Sequence, residues 1–137
     1  MRIMGIDYGD ARTGIAISDL LCTIAGTTLV IHSRNQDNTL EQICQLVKQH
    51  EVGQLVLGLP KNMDGTEGPR AELCREFAKK LEAETGLGVK LWDERRTTVE
   101  AHNILSEHNY HGKKRKNTVD AVAAALILEG YLAFLGR

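Results

Sequence analysis

Four acidic residues occupy positions where side chains often do chemistry. Asp7, and the adjacent Asp93 and Glu94, each follow an apolar, strand-like segment, while Asp120 lies in the first turn of the most apolar predicted helix. Ligands of open sheets with parallel strands bind outside the carboxyl ends of those strands. Carboxylates that converge there repel one another unless protons or cations neutralise them. Mg²⁺ suits such a place, because carboxylates, waters and substrate phosphate usually hold it.

Basic residues lie close to these acids in the sequence. Arg95 and Arg96 follow Glu94 directly, and a basic run from Lys113 to Lys116 precedes Asp120. Two divalent ions about 3.5–4 Å apart can stabilise both the attacking water and the leaving oxygen of a phosphodiester. The neighbouring cations would then hold the anionic backbone, so the combination favours phosphodiester hydrolysis.

Each acid also has an interpretation that involves no catalysis. Asp120 could be an N3 acid of a helix capped by Asn117, where the helix dipole favours negative charge. Asp7 could belong to a hairpin turn, and Asp93 and Glu94 could pair with the two arginines that follow them. The basic run could be a solvated loop. The joint pattern supports a site more strongly than any single member.

Charge is unevenly distributed along the chain. The formal net charge is −1, but residues 90–116 carry +3 and the remainder carries −4. A protein that coats nucleic acid broadly is usually basic overall. This chain can present only a local basic patch, so we expect any nucleic-acid contact to be focused and sensitive to salt.

Length and composition favour a single domain over residues 1–137. The sequence has no run of 18 apolar residues, which argues against a membrane span, and no export signal is evident at its start. Three scattered cysteines, Cys22, Cys44 and Cys74, predict reduced thiols in a cytoplasmic protein. The spacing of the five histidines builds no zinc site.

The first half of the sequence changes from strand to helix periodicity. Residues 2–8 alternate, with Ile3, Gly5 and Asp7 predicted on one face of a strand. Residues 14–18 and 28–32 predict two further strands with short connections, which suggests an antiparallel meander. Apolar residues between 40 and 47 then recur at helical spacing, with Asp37 or Asn38 placed to cap the helix.

The second half alternates buried strands with helices. Residues 54–59 form a continuous apolar run typical of a buried parallel strand. Pro69 opens a helix that Gly86 ends, and its predicted apolar stripe is Leu73, Cys74, Phe77, Ala78 and Leu81. Residues 89–92 predict a fifth strand, 98–108 a helix, 109–117 a mobile loop, and 118–135 a helix that must pack across the sheet. This order predicts an α/β fold: a mixed five-stranded sheet, three antiparallel then two parallel strands, flanked by helices.

Five motifs in this order resemble the YqgF family of bacterial RNase H-like proteins, relatives of the Holliday-junction resolvases. They are Asp7-Tyr8-Gly9 with Thr13-Gly14-Ile15-Ala16 and Ser18-Asp19, Gly58-Leu59-Pro60, Asn62-Met63-Asp64-Gly65 with Gly68, Asp93-Glu94-Arg95 with Thr97-Thr98, and Asp120-Ala121 with Ala123-Ala124. The resemblance spans residues 3–132. It implies an RNase H-like fold and an endonuclease that depends on Mg²⁺ or Mn²⁺.

The resemblance also implies a set of site residues. The metal-binding and catalytic acids would be Asp7, Glu94 and Asp120, with Asp93 a less certain neighbour. The segment Gly58-Leu59-Pro60 has no acid where the related resolvases carry a glutamate, which leaves open whether one or two ions bind. The candidate substrate contacts are Arg12, Asn62, Asp64, Arg95, Arg96, Lys113, Lys114, Arg115 and Lys116.

Two substrates and two rival functions stay open at this point. The family implies maturation of the 5′ end of pre-16S ribosomal RNA, or cleavage of branched DNA as in a Holliday junction. A fourfold junction is expected to need two active sites and hence a symmetric dimer, but no exposed apolar patch predicts one, so we expect a monomer or a weak homodimer. Asp7 and Gly9 with the Thr13-Gly14 hairpin also resemble the phosphate-binding turn of actin-like and sugar-kinase-like ATPases. The rivals are therefore nucleotide binding without hydrolysis, and a catalytically inert nucleic-acid-binding protein.

Overall fold

The computed structural model describes residues 1–22, 24–93 and 112–136, without the side chains of residues 112–118. Three strands come first, and helices and strands then alternate, in nearly the predicted order. They are β1 (Arg2–Asp7), β2 (Arg12–Ser18), β3 (Ala25–His32), α1 (Gln36–Gln49), β4 (Val52–Leu59), α2 (Pro69–Thr85), β5 (Val89–Asp93) and α3 (Gly112–Phe134).

The five strands form one mixed sheet in the order β3-β2-β1-β4-β5. β1, β2 and β3 pair antiparallel, whereas β4 pairs parallel with β1 and β5 pairs parallel with β4. The predicted mixed sheet is therefore confirmed. Because β1, β4 and β5 run in the same direction, their carboxyl ends share one edge of the sheet, and we call this the carboxyl edge.

Two apolar layers cover the two faces of the sheet. One face packs against α1 and α2 around Met4, Ile6 and Phe77. The other packs against α3 around Ile3 and Leu128. Side chains alternate between faces along a strand, so the predicted alternation of β1 is confirmed, and Asp7 falls on the α3 face with Ile3 and Gly5.

Glycines let α3 lie directly on the sheet. An ideal Cβ built on Gly5 would lie 2.8 Å from the Leu128 Cβ, and one built on Gly14 would lie 2.1 Å from the Asp120 carbonyl oxygen. Side chains at these two positions would therefore push the helix away. The predicted packing of the last helix across the sheet is confirmed.

The start of α3 differs from the prediction. The helix begins at Gly112 rather than Thr118, so the backbone of Lys113 to Lys116 is helical and not a loop. Lysine, arginine and alanine are good helix formers, and no proline interrupts them. Asp120 consequently lies about two turns inside the helix, and its interpretation as an N3 acid capped by Asn117 is wrong. The helix predicted over 98–108 lies outside the described residues.

Two local predictions in the other helices are also wrong. The N-cap of α1 is Asn35, whose side chain accepts a hydrogen bond of 2.9 Å from the Asn38 amide, and neither Asp37 nor Asn38 is the cap. In α2, Leu73 is 41% exposed while Ala71 is fully buried. The buried stripe thus starts at Ala71 and passes to Cys74, three residues on, and Leu73 falls outside it.

The three cysteines carry free thiols, as predicted. Cys22 and Cys74 are buried, and Cys44 is half-buried. Burial raises the pKa of the Cys44 thiol, and the nearby Glu84 carboxylate adds to the effect. The search of the described helices finds none that is both long and apolar enough to cross a bilayer.

Candidate nuclease site at the carboxyl edge

Asp7 and Asp120 lie on either side of Gly14. Asp7 is the last residue of β1 and pairs with Gly14 in the neighbouring strand. The backbone of Asp120 covers the same glycine from above, because its carbonyl oxygen fills the space where a Cβ would be. Cross-strand Cβ positions lie about 4.5–5.5 Å apart on one face. The fold therefore brings these two acids to one place on the α3 face.

Asp120 forms an ion pair with Arg12. The distance from the Arg12 Nε to the Asp120 Oδ2 is 2.9 Å, and the two residues are 108 positions apart in the sequence. The Asp120 side chain is only 21% exposed. Burial raises its pKa above the ordinary value, while the Arg12 hydrogen bond and charge, and to a smaller extent the charge of His32, act in the opposite direction.

His32 is a neighbour of this site that sequence reasoning missed. It pairs with Arg12 across β2 and β3, so the two side chains stand side by side on the α3 face. The sequence signal that could have identified His32 is the register of the β2–β3 hairpin, which places residues near 12 opposite residues near 32. Arg70 was also missed. Its contacts with the turn after β1 span 60 residues or more, and nothing in the local pattern indicates them.

The end of β5 presents its two last residues to opposite faces. Trp92 lies on the α3 face, where its ring meets Tyr131 edge-on at 6.0 Å between centroids. Leu91 packs in the α1–α2 layer, and strand alternation assigns Asp93 to that same face. The register therefore separates Asp93 from Asp7. Glu94, Arg95 and Arg96 lie outside the described residues.

Asn62 and Asp64 stabilise their own loop after β4. The Asn62 Nδ2 donates to the Thr66 Oγ1 at 2.9 Å, and Asp64 Oδ1 accepts from the Thr66 amide at 3.0 Å. Gly65 has a φ of 89°, which a tight turn requires here. The predicted turn is confirmed, and it follows a parallel strand at the carboxyl edge. A role in substrate binding stays a prediction for both residues.

Asp7 and Asp120 are the candidate metal ligands among the residues that the structure describes. Among the described residues, which leave out Glu94, no three histidine, cysteine or acidic side chains are grouped so that they could hold a metal ion. Asp7 and Asp120 offer hard oxygen donors. Burial raises the pKa of Asp120, and a cation beside its carboxylate would favour the charged form. Such a donor set fits a hard divalent ion rather than zinc.

Substitution of Asp120 by asparagine is expected to raise the melting temperature at pH 7. The folded-state pKa is above the unfolded value, so this carboxyl group contributes stability below the unfolded pKa and loses it as the pH rises through the folded pKa. Loss of the partly buried ion pair to Arg12 offsets part of this gain without reversing it, because the direction of the pKa shift already includes the effect of Arg12. Thermal unfolding at pH 7 and pH 3.5 checks this: the advantage of Asp120→Asn must shrink in acid, and a lower melting temperature at pH 7 would contradict it.

Comparisons with known proteins find relatives along nearly the whole sequence. Residues 1–133 match the family model described as RuvX: Holliday junction resolvase. A protein of Halothermothrix orenii named "Putative pre-16S rRNA nuclease" is 48% identical over 137 residues, covering 100% of this chain and 98% of that protein. A protein of Carboxydothermus hydrogenoformans with the same name is 42% identical over 137 residues, covering 100% and 99%.

Solved structures show the same fold. The structure titled "T. thermophilus RuvC in complex with Holliday junction substrate" matches with a TM-score of 0.64 at 12% identity, covering 100% of this chain and 97% of that one. The Holliday junction resolvase of fowlpox virus matches with a TM-score of 0.54 at 15% identity, covering 98% and 99%. The predicted RNase H-like fold is thereby confirmed.

Proposed function

This chain belongs to the RuvX family, and on that premise we propose that it is an endonuclease dependent on Mg²⁺ or Mn²⁺ that matures the 5′ end of pre-16S ribosomal RNA. The observation that carries the proposal is the meeting of Asp7 and Asp120 around Gly14. Two carboxylates at one end of a sheet repel each other, and the ion pair of Asp120 with Arg12 offsets part of that repulsion. A shared divalent cation would offset the rest.

The proposed ligands are Asp7, Asp120 and Glu94. Asp93 is the weaker candidate because its face of β5 is the one that packs against α1 and α2. A bound divalent ion would supply an activated water and stabilise the leaving oxygen. The ion pair with Arg12 holds the Asp120 carboxylate in one position and partly neutralises its charge. Arg12 would therefore orient Asp120 as a metal ligand.

The relatives' names favour RNA as the substrate. The two curated relatives, at 42% and 48% identity over the full chain, are named as pre-16S rRNA nucleases. The family description favours a Holliday junction instead, which makes branched DNA the second candidate. We propose the RNA substrate, a cytoplasmic location, and a monomer or weak homodimer.

Cleavage assays with matched substrates test the proposal. Purified protein is incubated with labelled pre-16S precursor, a linear RNA and a four-way DNA junction, each with Mg²⁺, Mn²⁺ or EDTA. We expect metal-dependent cleavage of the precursor that Asp120→Asn abolishes. Preferential cleavage of the junction would favour the resolvase, whereas RNA binding without cleavage in Mn²⁺ would indicate an inert binding protein. Stabilisation by ATP would indicate nucleotide binding.

Neutralising the basic run at the start of α3 is expected to weaken RNA binding and reduce its salt dependence. The backbone of residues 113–116 is helical. Changing Lys113, Lys114, Arg115 and Lys116 to glutamine therefore removes their charge and keeps good helix formers at these positions. Each lost phosphate contact reduces the slope of log K against log salt by about 0.7 for single strands and about 0.9 for duplexes. Binding titrations in EDTA at several salt concentrations measure it.

A double variant on the other side of the sheet provides the control. Lys48 and Lys79 are exposed on α1 and α2, which cover the opposite face. Their replacement by glutamine should leave the slope nearly unchanged. If the wild type and both glutamine variants gave the same slope of log K against log salt, the start of α3 would not contact the substrate.

A further inference from the structure

Arg70 connects α2 to the turn that follows Asp7. Its Nη1 lies 2.7 Å from the Asp10 Oδ1, and its Nη2 donates a hydrogen bond to the Tyr8 carbonyl oxygen. The guanidinium carbon also lies 5.4 Å from the centroid of the Tyr8 ring, within the range of a cation–π contact. One side chain from the first turn of α2 thus contacts both the backbone and the side chains of residues 8–10.

Two helices hold Tyr8 from the same side. Its ring stacks on that of Phe77 with 4.0 Å between centroids and an angle of 9° between the planes, and Phe77 is fully buried. Its hydroxyl accepts a hydrogen bond of 3.1 Å from the Gln36 Nε2. Tyr8 is therefore anchored to α1 and α2, whereas Asp7, one residue earlier, faces α3.

The sheet ladder itself does not extend to Tyr8. The pairing of β1 with β2 ends at Asp7 opposite Gly14, and its pairing with β4 ends at Ile6 opposite Leu57. The Tyr8 carbonyl comes after both ends and accepts from Arg70. This carbonyl belongs to the peptide that joins Tyr8 to Gly9, one peptide beyond Asp7, and Gly9 also bonds the Thr13 hydroxyl. Arg70 therefore helps to fix the direction in which the chain leaves Asp7.

We propose that Arg70 is a positioning residue, which fixes the turn of residues 8–10 and thereby aims the Asp7 carboxylate at the divalent ion. The inference rests on the proposed function, in which Asp7 is a ligand. Groups that orient metal ligands typically affect metal affinity or activity by about 10–100-fold when they are removed. The Arg70 charge is already paired with Asp10, which favours a role through the turn over a contact with substrate phosphate.

The chain offers a closely matched control for Arg70. Arg75 belongs to the same helix and also forms an ion pair, with a distance of 2.7 Å from its Nε to the Glu67 Oε1. That pair lies within α2 and the loop before it, and does not reach the turn after β1. Arg70→Ala and Arg75→Ala therefore remove the same side chain and one ion pair each, and only the first removes contacts with the turn of residues 8–10.

The test measures metal binding and nucleic-acid binding separately. Mn²⁺ binding is followed by calorimetry without substrate, cleavage is followed as a function of Mn²⁺ concentration, and RNA affinity is measured in EDTA. For Arg70→Ala we expect an increase of about tenfold or more in the Kd for Mn²⁺ and an RNA Kd within twofold of the wild type. Arg70→Lys should recover part of the loss, because one ammonium cannot replace the two-pronged contact. Arg75→Ala should resemble the wild type.

Each other outcome contradicts one specific claim. An unchanged Mn²⁺ Kd, with weaker RNA binding and a salt slope reduced by about one unit, would make Arg70 a phosphate contact and overturn the inference. Wild-type behaviour of Arg70→Ala in all three assays would also overturn it. If Arg70→Ala unfolds, the Kd of Arg70→Lys for Mn²⁺ tests the inference instead. This variant keeps the charge, and an Mn²⁺ Kd equal to that of the wild type would overturn the inference. A wild-type protein that neither binds Mn²⁺ nor cleaves any substrate contradicts the proposed function instead.

Discussion

Replacing Asp7 by asparagine is expected to lower metal-dependent cleavage by on the order of 10³-fold, because a bound ion contributes several kcal/mol to stabilising the transition state and each 1.36 kcal/mol is tenfold in rate. Asparagine keeps the shape of the side chain and removes its charge, so the fold should persist. Single-turnover cleavage of labelled precursor RNA at saturating protein measures the loss, and circular dichroism confirms folding.

Asp37 gives a control for Asp7→Asn. It is an exposed acid in the first turn of α1, a helix that packs on the opposite face of the sheet from Asp7. Asp37→Asn should cleave at the wild-type rate. If Asp7→Asn retained activity within tenfold of the wild type, the divalent ion would have to be held elsewhere and the proposed site would be wrong.

Substitution of Gly14 by alanine is expected to affect both stability and cleavage. The new Cβ would lie 2.1 Å from the carbonyl oxygen and 2.7 Å from the carbonyl carbon of Asp120. These are backbone atoms of α3, so the contact can be relieved only by moving the helix away from the sheet. Overpacking of this kind costs about 1–3 kcal/mol and occasionally more. We expect a loss near the upper end, about 3 kcal/mol, with much weaker cleavage because Asp120 is displaced.

Gly88 provides the comparison for Gly14→Ala. No atom lies within 4 Å of a Cβ placed at Gly88, so Gly88→Ala should be neutral or stabilise slightly. Urea unfolding of both variants gives the free-energy difference, and cleavage at a temperature where both are folded gives the functional effect. Equal stability of the two variants would contradict the close contact between α3 and β2.

Local sequence signals predicted most of the fold. Alternation in residues 2–8 gave the correct faces of β1 because a strand has a period of two wherever it lies. Pro69 and Gly86 mark the ends of α2, since Pro69 suits the first helical position and Gly86 adopts a φ of 72° at the C-cap. These signals depend on backbone sterics, which the residues carry with them.

The wrong predictions share a dependence on context. Asn35 caps α1 in place of Asp37 or Asn38, although asparagine and aspartate are both good N-cap residues. The basic run before Asp120 is compatible with either a solvated loop or a helix, and α3 includes it. In each case several local choices have similar energies, so the surrounding structure selects one of them.

By itself, the sequence determined the strands, the helices and the list of acids worth considering, because those depend on the periodicity and chemistry of neighbouring residues. Only the tertiary structure decided which acids meet: Asp7 and Asp120 converge on Gly14, while strand alternation turns Asp93 to the other face. It also decided that Arg70 holds the turn next to Asp7 across 62 residues. Such contacts join segments through the packing of α2 and α3 on the sheet, and packing between distant segments leaves no periodic trace in either of them.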